Sequence, residues 1–313
     1  MQWRKLLMSG GAALGGVAAF NMLARHKVAP LPNLLGGEEG WLDWRGHRLA
    51  YTVHGSGPPV LLLHSIGLWS WSYEWRHNVD SLAQSYRVYT LDLLGFGRSD
   101  RPQIHYAPRL YLGLIRDFVR RVIHAPAALV GAGLTGAYVA ELAAGDPAQF
   151  PLAVLVSPTG LTRLRERPSG ADGASRQLVS TPVLGTAAWN AKVTRPALRR
   201  ELAEIYYRDS RVTEELLDVA QATTHQPGAK YAPAAWQANQ LNLDVRGALR
   251  RLLQPALLVR GSQAEQNPAE ESFGYRALKP GFRVAILDPA GDQPQDERAE
   301  EFNELVREFL ATA

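Results

Sequence analysis

Val60-Leu61-Leu62-Leu63 and Ala256-Leu257-Leu258-Val259 are apolar at every position, too short for helices and without the in-out alternation of a half-exposed strand. A strand that is apolar on both faces must be covered on both faces, which is the condition of a parallel sheet sandwiched between helices. Seven segments read as strands on this basis or on β-rich composition: 48–53, 59–63, 87–92, 127–130, 152–156, 255–259 and 283–287, with helical patterns between them. That alternation predicts an α/β architecture with a mostly parallel sheet.

The pattern changes over 159–252. Helical segments rich in Arg and aromatic residues, among them Trp189, Tyr206, Tyr207, Tyr231 and Trp236, run on without an apolar strand. An inserted helical lid is expected there, with the core split into 41–158 and 253–313. The lid carries fourteen Lys and Arg against nine Asp and Glu, a modest basic excess that a solvated helix surface accounts for. A chain of 313 residues is long enough for one such domain.

Ahead of the body, Leu6 to Ala24 is apolar and flanked by Arg4 and Lys5 on one side and by Arg25, His26 and Lys27 on the other. Its length is about that of a bilayer core, so residues 1–27 read as an N-terminal transmembrane helix acting as a signal anchor, followed by a Pro- and Gly-containing linker at 28–40. Val17-Ala18-Ala19 would also suit signal-peptide cleavage, although the apolar stretch continues past it. Gly11 and Gly15 form a GxxxG pair that the abundance of Gly and Ala explains. A positively flanked first span before a long domain leans the body toward the extracytoplasmic side.

Net charge is +4, and the basic residues are scattered rather than gathered into a stripe with aromatics, so nucleic acid is not an expected partner. The absence of cysteine removes disulfides, thiolate metal sites and a thiol nucleophile. No metal or other cofactor is expected. The expected partners are a membrane, a small apolar or carbonyl-bearing ligand and a protein in a membrane assembly.

The run Leu61 to Gly67, Trp75, and the stretch Val88-Tyr89-Thr90-Leu91-Asp92-Leu93-Leu94-Gly95-Phe96-Gly97-Arg98-Ser99-Asp100 closely resemble the α/β-hydrolase superfamily. The resemblance continues through Gly131-Ala132-Gly133-Leu134-Thr135-Gly136, Gly261 to Pro268, and Pro289-Ala290-Gly291-Asp292. It implies an α/β-hydrolase fold with an oxyanion loop beginning at His64, Ser65 standing in that loop's Gly position. The oxyanion donors would map to the backbone N–H groups of Ile66 and Leu134.

The same resemblance exposes departures at all three triad positions. Where the family's Gly-x-Ser-x-Gly elbow carries its nucleophile, this chain has Gly133, with Thr135 in place of the second Gly. The acid position falls on Ala264, with Glu265 one residue further as a candidate acid. The base position, a Gly-His step in the family, holds Asp292 after Gly291, and no histidine follows His225. A carboxylate cannot shuttle a proton near neutral pH as imidazole does.

The remaining candidates are weaker. Thr135, on the first turn after the elbow, is expected to cap or pack, and Ser65 beside His64 is a conceivable pair whose side chains point to opposite sides of an extended segment. Glu265 and Asp292 could lie close together as a carboxylate pair, or accept hydrogen bonds from nearby backbone. His64 is expected to brace its loop, Trp69 and Trp71 to line the pocket mouth or pack under the lid, and His225 to face solvent. Candidate binding residues are therefore His64, Ser65, Ile66, Trp69 and Leu134. Two functions compete: a pseudoenzyme that binds a ligand or joins an assembly at the membrane, and an active hydrolase acting on small apolar ester or lipid-like substrates by an altered mechanism.

Overall fold

The computed structural model describes residues 28–170, 173, 179, 181, 183–208 and 211–312. Eight strands form one sheet: β1 (Glu38–Trp44), β2 (His47–His54), β3 (Pro59–Leu63), β4 (Arg87–Leu91), β5 (Ala128–Ala132), β6 (Ala153–Val156), β7 (Ala256–Gly261) and β8 (Phe282–Leu287). Their order is β1-β2-β4-β3-β5-β6-β7-β8. The first two strands join antiparallel and the rest run parallel.

The unbroken apolar runs behave as their composition requires. Leu61 and Leu63 of β3 enter one core, with Leu129 and Leu258, while Val60 and Leu62 enter the core on the opposite face, with Val130 and Leu257. Helices α1 (Pro108–Phe118) and α2 (Leu134–Gly145) cover the first face. The C-terminal helix α10 (Ala299–Leu310) covers the second through Phe302, Val306 and Phe309.

Strand β1 begins inside the segment expected to be linker. Its charged start, Glu38-Glu39-Gly40, hides the pattern, since only Leu42 and Trp44 are buried, yet it pairs with β2 along its whole length. An edge strand needs burial on one face only, and its acidic residues discourage pairing with another sheet.

The Asp92-to-Asp100 motif is a knot at the sheet's C-terminal end. Fully buried Asp92 accepts from Ser72 N (2.9 Å) and from Arg98 N (3.0 Å) and Nε (3.2 Å). Ser99 Oγ donates to Asp92 O at 2.5 Å and accepts from Ala50 N at 2.9 Å. Gly97 has φ +51, and a Cβ there would stand 2.4 Å from the Asp92 carboxyl carbon, so only glycine closes this turn.

Between β6 and β7 the described residues include five helices, α3 (Leu184–Lys192), α4 (Arg195–Ile205), α5 (Glu214–Thr224), α6 (Tyr231–Gln237) and α7 (Arg246–Arg251). A third apolar cluster seals this insertion to the core, joining Leu68, Trp69, Trp71 and Tyr73 to Trp189, Leu198, Leu202 and Tyr206. Polar bonds reinforce the seam. Asp296 of α9 (Pro294–Glu297) accepts from Arg76 Nη2 of the core (2.6 Å) and from Tyr206 Oη of the insertion (2.5 Å).

The expected transmembrane stretch, 6–24, lies outside the described residues. Among the described residues no helix is long and apolar enough to cross a membrane.

Candidate functional site

Strand β5 ends at Ala132 and α2 starts at Leu134, so the whole strand-to-helix turn rests on Gly133, with φ +56 and ψ −124. Such a backbone is strained for any residue with a Cβ. Gly133 N donates to Val156 O at 2.9 Å, and Gly133 O accepts from Gly136 N and Thr159 N. Backbone bonds thus hold the turn at Gly133 itself.

A Cβ built at Gly133 would lie 3.3 Å from Ser65 Cβ, its nearest neighbour. A serine therefore fits with a shift of a few tenths of an ångström. Gly133→Ser should cost about 1–2 kcal/mol from the positive φ, read as a modest fall in Tm by calorimetry. Combining it with Asp292→His should not produce efficient ester cleavage, because Asp292 has a different task, set out below. Rapid turnover of p-nitrophenyl acetate by that double variant would refute the assignment.

Thr135 does not face the turn's open side. It is fully buried, and its hydroxyl donates to Ala132 O at 2.8 Å with Leu63 O at 3.2 Å, tying the helix start to two strands.

His64 is also fully buried. Leu93 N donates to its Nε2 at 3.0 Å, so the proton sits on Nδ1, which reaches Ser65 O at 2.6 Å. Burial pushes its pKa down, against the pull of Asp92 and of the Ser65 carbonyl, and keeps the ring neutral. The histidine braces the ends of β3 and β4, and because both nitrogens are used it sits behind the cavity wall, not in it.

Ser65 has a partner that sequence reading missed. Its N–H (2.9 Å) and its Oγ (2.7 Å) both reach Glu74 Oε2, and Ser70 Oγ lies 3.0 Å away. Glu74 Oε1 accepts from Gln295 Nε2 at 3.0 Å. Burial raises the Glu74 pKa to about 7, against the lowering effect of the Ser65 bonds. Only the aromatic setting Tyr73-Glu74-Trp75 hints that this glutamate is inside.

At the base position, Asp292 is almost fully buried and accepts four bonds. Glu265 N (3.1 Å) and Gln266 N (2.9 Å) donate to Oδ2, and Asn267 N and Nδ2 (both 2.9 Å) donate to Oδ1. Burial raises its pKa and the four donors oppose the rise. The carboxylate thereby folds the loop after β7. Glu265 meets Asp292 only through its backbone and turns its side chain to solvent, so it forms no carboxylate pair, and Ala264 is buried behind it.

Ser65, Ile66, Trp69, Gly133, Leu134 and Asp292 line one cavity of about 70 Å³, together with Ser157, Asn267, Arg163 and Glu201, which sequence reading did not single out. The N–H groups of Ile66 and Leu134 have no acceptor among the described residues. The Leu134 N–H opens a twelve-residue helix, where partial positive charge collects, and the Ile66 N–H belongs to the loop after β3. Trp71 is buried and stacks on Tyr73 instead. His225 is half-buried, its Nδ1 2.8 Å from Gln221 O, rather than solvent-facing.

The α/β-hydrolase family model matches residues 60–305, and the chain belongs to that family. It is 25% identical to an uncharacterised protein of Mycobacterium tuberculosis over 280 residues, covering 85% of this chain and 79% of that one. It is also 25% identical to 2-hydroxy-6-oxo-2,4-heptadienoate hydrolase of Pseudomonas putida over 266 residues, covering 82% and 90%. Among solved structures, a meta-cleavage product hydrolase from Pseudomonas fluorescens superposes with a TM-score of 0.72 at 23% identity, over 87% of this chain and 97% of that one.

Proposed function

We propose that this chain is a membrane-tethered, ligand-binding member of its family that does not cleave what it holds. The observation that carries this reading is the commitment of Asp292. The carboxylate at the base position has its acceptor sites taken by four N–H groups, and Gly133 offers no nucleophile facing it. What remains is a small, partly open cavity beside two unpaired backbone donors, suited to a carbonyl or carboxylate group beneath the helical lid.

The test is a turnover screen with short acyl esters alongside a serine-directed fluorophosphonate probe. Neither turnover nor labelling is expected. One arrangement favours the opposing reading of an altered hydrolase: Ser65 Oγ on Glu74 is a hydroxyl bonded to a carboxylate beside the donors. The same carboxylate oxygen also takes the Ser65 N–H, which is the signature of a turn brace. Labelling that disappears in Ser65→Ala would overturn the non-catalytic reading. For the tether, removal of the residues before Val28 should move the protein from the membrane pellet to the supernatant, and continued pelleting with lipid would contradict it.

A further inference from the structure

Helix α4 sends its charges to two sides. Arg195 and Arg199 reach the carboxylates of α5, Arg195 pairing with Glu214 at 2.5 Å and with Asp218 at 2.6 Å. Glu201 lines the cavity instead and is half-buried there. Among the described residues no donor bonds to its carboxylate and no cation closes an ion pair with it, Lys192 acting on it only from beyond that range. Burial pushes its pKa up. A carboxylate withdrawn from water without a donor costs free energy, and the arginines of its own helix are turned elsewhere.

The end of α4 fixes where Glu201 stands. Ile205, one turn further on and also in the cavity wall, accepts from Asp292 N at 2.8 Å. Tyr206 Oη donates to Asp296, and Tyr207 N donates to Glu297 Oε2 at 3.0 Å, so three consecutive residues hold the helix to segment 292–297. The two backbone donors are also close to one another. They follow Gly133 and Ser65, and a Cβ on Gly133 would lie 3.3 Å from that of Ser65. Arg163, the other charged side chain that the insertion places in the wall, lies over the Trp236 ring at 5.9 Å and does not neutralise Glu201 by an ion pair.

We infer that Glu201 is the ammonium-recognising group of this cavity, so that the ligand is a short aliphatic amino acid with its carboxylate on the Ile66 and Leu134 N–H groups. The inference rests on the binding function proposed above and adds a second charge to its ligand. An apolar ester or ketone leaves Glu201 unpaired, whereas an ammonium brings three donors and the opposite charge. A carboxylate without the ammonium adds a negative charge to a wall that already holds Glu201 and Asp292. The cavity of about 70 Å³ limits the ligand to a short chain.

The experiment is an NMR titration of the full chain in detergent at pH 8, where carboxylate and ammonium are both charged, following the Ile66 and Leu134 amides. The probes are three matched pairs: glycine with propionate, β-alanine with butyrate, and γ-aminobutyrate with valerate. Each pair differs only by NH3+ for CH3, and the lengths sample the separation between Glu201 and the backbone donors. At the length that fits, the amino acid should bind about tenfold more tightly than its partner, the value of one charge-assisted hydrogen bond. Glu201→Gln should bring that ratio within about twofold by weakening the amino acid. Glu204→Gln, an exposed neighbour on α4 outside the cavity wall, should leave the ratio as it was. Equal binding within all three pairs, a ratio that survives Glu201→Gln, or one that falls equally in Glu204→Gln overturns the ammonium site and leaves the binding function standing. Failure of every probe to bind defeats the binding function and the ammonium site together.

Discussion

Asp292→Ala should be the most damaging single substitution in the site, lowering stability by about 3–4 kcal/mol. The change strips four N–H groups of one acceptor, and three of them are the backbone N–H groups of consecutive residues, 265–267, which no strand or helix holds. Asp292→Asn should do little better. An amide in place of the carboxylate points its own donors at Glu265 and Gln266 N, or at Asn267, whichever way it turns. For a domain of this size the loss corresponds to roughly 6–10 °C in Tm, measurable by calorimetry, with faster hydrogen exchange at the amides of 265–267. A drop of less than 1 kcal/mol would mean that the loop is held by something else. An ordinary catalytic acid or base can be removed with little harm to folding, so the size of this penalty separates a structural carboxylate from a chemical one.

The second large effect is a pH dependence centred on Glu74. Its pKa is about 7 in the folded chain against 4.5 ordinarily, so between these values the folded state binds more protons than the unfolded one. Stability therefore falls as pH rises through this window. The penalty is absent below about pH 4.5, is complete above about pH 7, and amounts to about 3 kcal/mol. Buried neutral His64 works the other way, its lowered pKa adding stability as pH rises toward 6.5. The difference between wild type and Glu74→Gln isolates the glutamate. Gln295 Oε1 has no partner among the described residues, so rotation of that amide together with the Gln293 amide it bonds at 2.6 Å can accommodate the substituted side chain. The variant's advantage should grow by about 3 kcal/mol from pH 4.5 to 7.5 in urea titrations. A constant difference across that range would show that Glu74 is ionised throughout.

The sheet was readable because β3, β5, β6 and β7 are buried on both faces and must be apolar throughout. Strand β1 was not, because a half-exposed edge beginning with two glutamates has the composition of a linker. At the site, the residue types at positions 133 and 292 showed which groups were missing, since chemistry depends on identity. They could not show what the residues standing there do instead. Glu74 lies nine residues from Ser65 and Asn267 lies 25 from Asp292, and only folding brings each pair within hydrogen-bond distance. The left-handed backbone of Ser157 leaves no trace in sequence at all, because serine is an ordinary residue at the end of a strand.

Gln226 Nε2 of the insertion donates to Ala29 O at 2.8 Å, and Leu31 packs into the apolar cluster that includes Trp69 at the cavity wall. The chain thus enters its folded body on the insertion, not on the sheet. Force applied to the leading segment ahead of Ala29 would therefore load the insertion, and with it the cover of the cavity, before it reached the sheet.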